Sequence, residues 1–182
     1  MDTHTASPRR RELLESAYRY VLEKGLGDLS LRPLAAAIGS SPRVLLYLFG
    51  SKDGLIRALL ARARADETDL LRRAPAGDLT EVALQVWSWL AAPEHRALLT
   101  LWTEAYARSL VEPDGSWAGF AAGTVRDWLA LLAAAQADPD SAAAVAQRTM
   151  TLAVLRGALL DLLATGDLDR TTAGVRVSLG RP

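Results

Sequence analysis

Apolar residues in the first seventy positions recur at intervals of three and four, and serine, proline and glycine interrupt them where helices begin and end. Leu13, Leu14, Ala17, Val21 and Leu22 mark one face of a helix that opens at Arg9, Arg10 and Arg11 and runs to about residue 24, after an arm of residues 1–8. Beyond the loop 25–28, Ser30 stands in an N-cap position, and Leu31, Leu34, Ala35 and Ile38 share the face that follows it, up to the stop at Gly39. Ser41 offers a second cap, with Pro42 at the first helical position, where a missing N–H costs nothing. Ser51 offers a third, opening a helix from 52 to about 73 with Leu55, Ile56, Leu59, Leu60 and Ala63 on one face. At about 1.5 Å per residue that rod is roughly 30 Å long. The pattern predicts short helix, tight turn, short helix, break, long helix.

The break at 74–78, rich in Pro and Gly, ends this region. Helices are then predicted over 80–90, over 94–111, from a cap at Ser116 through Trp117, Phe120, Ala121, Thr124, Trp128 and Leu131, and over 141–165 with Gly166 as the stop. The closing segment 169–179 is a poor helix former, and its state is left open. No strand-like alternation occurs anywhere, so the predicted class is all-α.

Two short helices around a glycine-containing turn outline a DNA-binding helix-turn-helix, whose second helix enters the major groove. In that frame Leu45, Leu48 and Phe49 pack inward, while Arg43, Val44 and Tyr47 point outward. Ala17, Gly25, Ser30, Leu34-Ala35, Gly39 with Ser41, Leu45, Tyr47, Phe49, Ser51-Lys52 and Leu55 together resemble the TetR family of transcriptional regulators. The match departs from the commonest family form in two respects: the tyrosine comes one position later, at Tyr47 with Leu46 in its usual place, and Leu48 replaces a histidine.

The resemblance implies a three-helix DNA-binding domain at 1–54 and a helical effector-binding and dimerisation bundle at 55–182. It further implies a repressor that acts as a homodimer on a near-palindromic double-stranded operator and is released by a small molecule. Ser41, Pro42, Arg43, Val44 and Tyr47 are the candidate DNA contacts of the second short helix. Arg43 suits base reading, because N-terminal residues of such helices meet base edges and arginine pairs with guanine. Arg32 is placed to reach a phosphate, and Lys52 lies beside the N–H cluster of a capped helix start, a natural phosphate seat. Arg9 to Arg11 either track the DNA backbone or form a solvated helix start.

All five tryptophans lie beyond the break at 74–78. Trp87, Trp102, Tyr106, Phe120, Thr124 and Trp128 are either core or the lining of an apolar cavity for an apolar or aromatic effector. In TetR-like proteins the last two long helices pair between subunits, which directs attention to Val145, Thr149, Leu152, Arg156, Gly157, Leu159 and Leu163. Arg156 is either a partner for Asp161 across that seam or a rim residue.

Composition modifies this picture little. Half of the 182 residues are hydrophobic and 23% charged, which suits a packed fold. The net charge of zero is divided unevenly. Residues 1–60 hold nine Lys/Arg against six Asp/Glu, and the rest hold twelve against fifteen. The modest positive excess therefore accompanies the helix-turn-helix and supports contact with phosphates. There is no cysteine, no signal-like apolar core at the N-terminus and no run of apolar residues long enough to span a membrane, so a cytoplasmic protein is expected. His4 and His95 have no metal-ligand company, Gly50-Ser51-Lys52 lacks phosphate-loop spacing, and Glu104 with Arg108 reads as an ordinary helix ion pair. Neither catalysis nor a cofactor or metal is expected. The competing reading is a helical small-molecule-binding or dimerisation protein that no longer binds DNA.

Overall fold

Helix α1 (Pro8–Lys24) starts where Ser7 Oγ accepts the Arg10 N–H at 3.2 Å and proline fills the first helical position. The computed structural model describes residues 7–26, 29–72 and 77–180, and every regular element among them is helical. After α1 come α2 (Leu31–Ala37), α3 (Pro42–Phe49), α4 (Lys52–Arg72) and α5 (Leu79–Leu90). A single 3-10 turn (Pro93–His95) leads to α6 (Arg96–Val111), α7 (Phe120–Ala133), α8 (Ala142–Thr165) and α9 (Leu168–Ser178). The all-α class is thus as expected. Residues 1–6 of the expected arm with His4, loop residues 27–28, break residues 74–76 and the last two residues lie outside the described residues.

The chain divides into two compact units, one comprising Met1–Asp66 with Leu101–Ala121, the other Glu67–Thr100 with Ala122–Pro182. In the first, Leu13, Ala17, Tyr18 and Val21 of α1, Leu34 of α2, Leu45 of α3 and Leu55 and Leu59 of α4 are buried. A polar clamp joins α1 to α4: Tyr18 Oη donates to Asp66 Oδ2 at 2.9 Å, and Arg62 Nε donates to Glu15 Oε1 at 2.7 Å. The Arg62 guanidinium also bonds Asp66 and lies 4.9 Å from the Tyr18 ring centroid. Burial and the adjacent Asp66 push the Tyr18 phenol well above its ordinary range, so it remains a donor.

In the second unit Asp78 and Glu81 form a capping box at the start of α5. Helix α8 packs against α5 and α9 and buries Leu152, Leu155, Leu159 and Leu162. The segment left open from propensity is the helix α9, and tertiary contacts account for it. Asp167 caps it by accepting the Arg170 N–H, Arg170 forks onto both oxygens of Asp161 at 2.7 Å, and Trp87 Nε1 donates to Thr172 Oγ1 at 3.0 Å. The Arg170 fork holds the Asp161 carboxyl below the usual carboxylate range.

Three local expectations need correction. Ser116 does not cap α7: residues 116–119 form a turn, Gly119 takes φ +73°, and the helix starts at Phe120. Ser30 occupies the N-cap of α2, but its side chain makes no capping bond. The Glu104 carboxylate reaches back across 78 positions, where Oε2 accepts the Leu26 N–H at 2.9 Å, and Arg108 pairs with Glu112 at 3.1 Å.

Candidate nucleic-acid interface

The second helix of the motif is held at both ends. Ser41 Oγ accepts the Val44 N–H at 3.3 Å, Pro42 follows at the first helical position, and Gly50 closes the helix at φ +78° with its N–H on the Leu46 carbonyl. Leu45 and Phe49 are buried and Leu48 is half-buried. Arg10 secures the C-terminal end from α1: Nε donates to the Leu48 carbonyl at 3.2 Å, and the guanidinium lies 4.9 Å from the Phe49 centroid. A cation at a helix C-terminus complements the dipole there. One of the three consecutive arginines thus has an internal structural role, and Arg9 pairs with Glu12 in the next turn.

Only two residues separate α3 from α4, and Ser51 Oγ accepts the Gly54 N–H at 2.9 Å to start α4. A Cβ on Gly54 would collide with the Phe49 carbonyl oxygen. Gly54→Ala should therefore lower stability by about 1–3 kcal/mol through overpacking, despite the roughly 0.5–1 kcal/mol that alanine ordinarily adds in a helix. Urea unfolding measures this, and a more stable variant would disprove the close approach.

The outward face carries the expected residues. Arg43 is exposed, Val44 is 38% exposed and Tyr47 86% exposed. Leu46, which sequence reasoning had not assigned to this face, is 41% exposed; its spacing of three from Arg43 was the available signal. Arg32 and Lys52 are exposed in the first turns of α2 and α4, with Asp53 beside Lys52. None of Arg32, Arg43 and Lys52 has a hydrogen-bond or ion-pair partner among the described residues. Three free cations and an almost fully exposed tyrosine thus accompany one rigid apolar-backed helix.

The six candidate effector residues separate. Trp102 and Tyr106 of α6 stack with centroids 5.7 Å apart, and Phe120 meets Trp102 edge-on at 6.4 Å, all in the first unit. Trp102 Nε1 is buried with no hydrogen-bond partner among the described residues. Phe120 also borders a cleft of about 280 Å³ lined by Arg57, Leu60, Arg64 and residues of the turn before α7. Trp87, Thr124 and Trp128 are buried in the second unit, where the Trp87 indole is engaged by Thr172. His95 stacks on Trp89 at 4.0 Å, with Nδ1 2.9 Å from the Trp89 carbonyl oxygen. Among the described residues no group of three or more His, Asp or Glu could hold a metal, and no helix is long and apolar enough to cross a membrane.

The seam candidates also separate. Val145, Thr149 and Gly157 are exposed, while Arg156 and Leu163 are half-buried. Leu152 and Leu159 are buried within their own chain, because that side of α8 packs on α5 and α9. Met150, Ala153 and Leu160 continue the exposed side of α8 at helical spacing, with Gly174 and Val177 exposed on α9. The alternation of 3 and 4 between 150, 153, 157 and 160 was the signal for them.

A helix-turn-helix built this way, followed by further helices, is the architecture of an all-helical chain with an N-terminal nucleic-acid-binding motif. Residues 13–59 match the family described as bacterial regulatory proteins, tetR family. The HTH-type transcriptional regulator BetI of Brucella suis biovar 1 (strain 1330) is 29% identical over 110 residues, or 58% of this chain; the match spans 56% of that relative's length. A transcriptional regulator from Rhodococcus sp. Rha1 shares the fold, with TM-score 0.79, 19% identity and 94% of each chain covered. The multidrug binding protein EbrR complexed with imidazole is 28% identical, with TM-score 0.71 over 97% of this chain and 92% of that one. Over residues 13–59 the chain thus carries the DNA-binding segment of the tetR family, and over its length it is similar to transcriptional regulators of that kind.

Proposed function

We propose that the protein is a ligand-responsive repressor that binds a near-palindromic operator as a homodimer, with residues 1–54 reading DNA and 55–182 providing the effector site and the subunit seam. The observation that carries this reading is the α3 face: Arg43 and Tyr47 stand free above buried Leu45 and Phe49, with exposed Lys52 just beyond. Two-fold symmetry would hold two such helices about 34–36 Å apart, one turn of the duplex. The exposed stripe of small and apolar residues on α8 and α9 supports pairing of two copies, since glycine and alanine let helices approach closely.

For the effector, the supporting features are the Trp102, Tyr106 and Phe120 rings and the unpaired Trp102 Nε1 donor, which favour an apolar or aromatic molecule with an acceptor. EbrR, 26% identical in these structures, is complexed with proflavin in one and with ethidium in another. Release would require the effector to bind the non-operator arrangement more tightly than the operator-bound one.

Gel shifts at several salt concentrations test DNA binding. Affinity should fall steeply with salt, and Lys52→Ala should reduce the log–log slope by about one per half-site. Tyr47→Ala should weaken binding by up to about tenfold, the scale of one hydrogen bond. Salt-indifferent binding, or none to any duplex, would refute the reading.

A further inference from the structure

The outward surface of α3 has a narrow chemical inventory. With 3.6 residues per turn, Arg43 and Tyr47 lie one above the other at its centre, Val44 to one side and Leu46 to the other. The helix carries no amide, carboxylate or threonine side chain. It therefore has neither the bidentate amide that grips adenine nor the carboxylate that takes a cytosine amino group, and the one hydroxyl, on Tyr47, both donates and accepts and so discriminates poorly between bases. Arginine donates only and selects guanine O6 and N7. For an A·T pair, the feature left to an apolar side chain in the major groove is the thymine methyl. Val44 suits it best. It lies in the first turn, where groove-entering helices meet bases; its N–H is held by Ser41; and its branched side chain is stiff in a helix.

We propose that each operator half-site contains a guanine read by Arg43 and, at a neighbouring pair, a thymine whose 5-methyl packs against Val44. Discrimination at that pair is then apolar rather than hydrogen-bonded. This rests on the DNA-binding reading above, and the test separates the two.

A random-sequence duplex library is selected on the full chain, and the enriched half-site is resynthesised with deoxyuridine replacing each thymine in turn, which removes only the methyl. The enriched half-site should hold a thymine next to a guanine. One replacement should weaken the parent protein roughly fourfold, the factor corresponding to ~0.8 kcal/mol for a buried methylene-sized group. Val44→Ala, checked for folding by circular dichroism, should bind the thymine duplex more weakly and lose nothing more on the uracil duplex, since the two changes remove one contact. A selected half-site without that thymine, a parent protein indifferent to every replacement, or a Val44→Ala protein that keeps the full uracil penalty would each overturn the assignment. The replacement series on the parent protein depends on no variant folding. If no sequence is enriched at all, the DNA-binding reading fails and this inference with it.

Discussion

Leu160→Asp is expected to give a folded monomer that holds operator DNA at least about a hundredfold more weakly than the parent chain. Leu160 is 54% exposed on α8, in line with Met150, Ala153 and Gly157, so it contributes little to the interior of its own unit. In the proposed dimer it faces its copy or a nearby stretch of the partner helix. Symmetry then introduces two carboxylates into an apolar seam, where an unpaired buried charge costs about 3–5 kcal/mol. Asp161 cannot relieve them, being itself an acid, and Arg170 is already committed to it. Once the dimer is lost, the second half-site no longer benefits from the first, and avidity of roughly 10²–10⁴ disappears. Sedimentation gives the mass, circular dichroism the fold and a gel shift the affinity. A Leu160→Asp protein still dimeric at micromolar concentration would move the seam away from α8.

Arg43→Ala is the second large effect, and it concerns discrimination rather than general grip. A bidentate arginine on guanine is worth about 1–3 kcal/mol per half-site against the wrong base, which a symmetric dimer incurs twice. Binding to scrambled duplex depends on phosphate contacts, to which the exposed Lys52 and Arg32 remain available. The ratio of affinities for selected and scrambled DNA should therefore collapse, with little change in salt slope. Equal loss on both duplexes would remove Arg43 from base reading.

The reading helix was legible because its determinants are local. Ser41 at the cap, Pro42 after it and Gly50 at the end are sequence punctuation, and the inward positions of Leu45 and Phe49 follow from helical spacing. What escaped depends on distant partners. Nothing near Glu104 indicates that its carboxylate caps the Leu26 N–H, and nothing near Arg10 points to the Leu48 carbonyl. Helix α9 could not be settled from weak propensities, because Asp161, Trp87 and its own cap at Asp167 decide it. On α8, apolar residues occur on more than one face, so periodicity alone could not tell which leucines face the subunit's own interior. Leu152 and Leu159 do, and Leu160 does not. The start of α7 was misplaced because Ser116 resembles a cap until Gly119 adopts its positive φ.

The stretch of α6 from Trp102 to Tyr106 has two chemically different sides. Its rings stack on one, while Glu104, two residues from each and so some 200° away around the axis, tethers the backbone at Leu26 just ahead of α2. With side chains reaching about 5 Å from a helix axis, a twist of roughly 20° carries that carboxylate nearly 2 Å sideways, beyond what a 2.9 Å hydrogen bond tolerates. If the proposed effector seats against these rings, a guest that wedged them apart would therefore also break the bond from Glu104 to the Leu26 N–H.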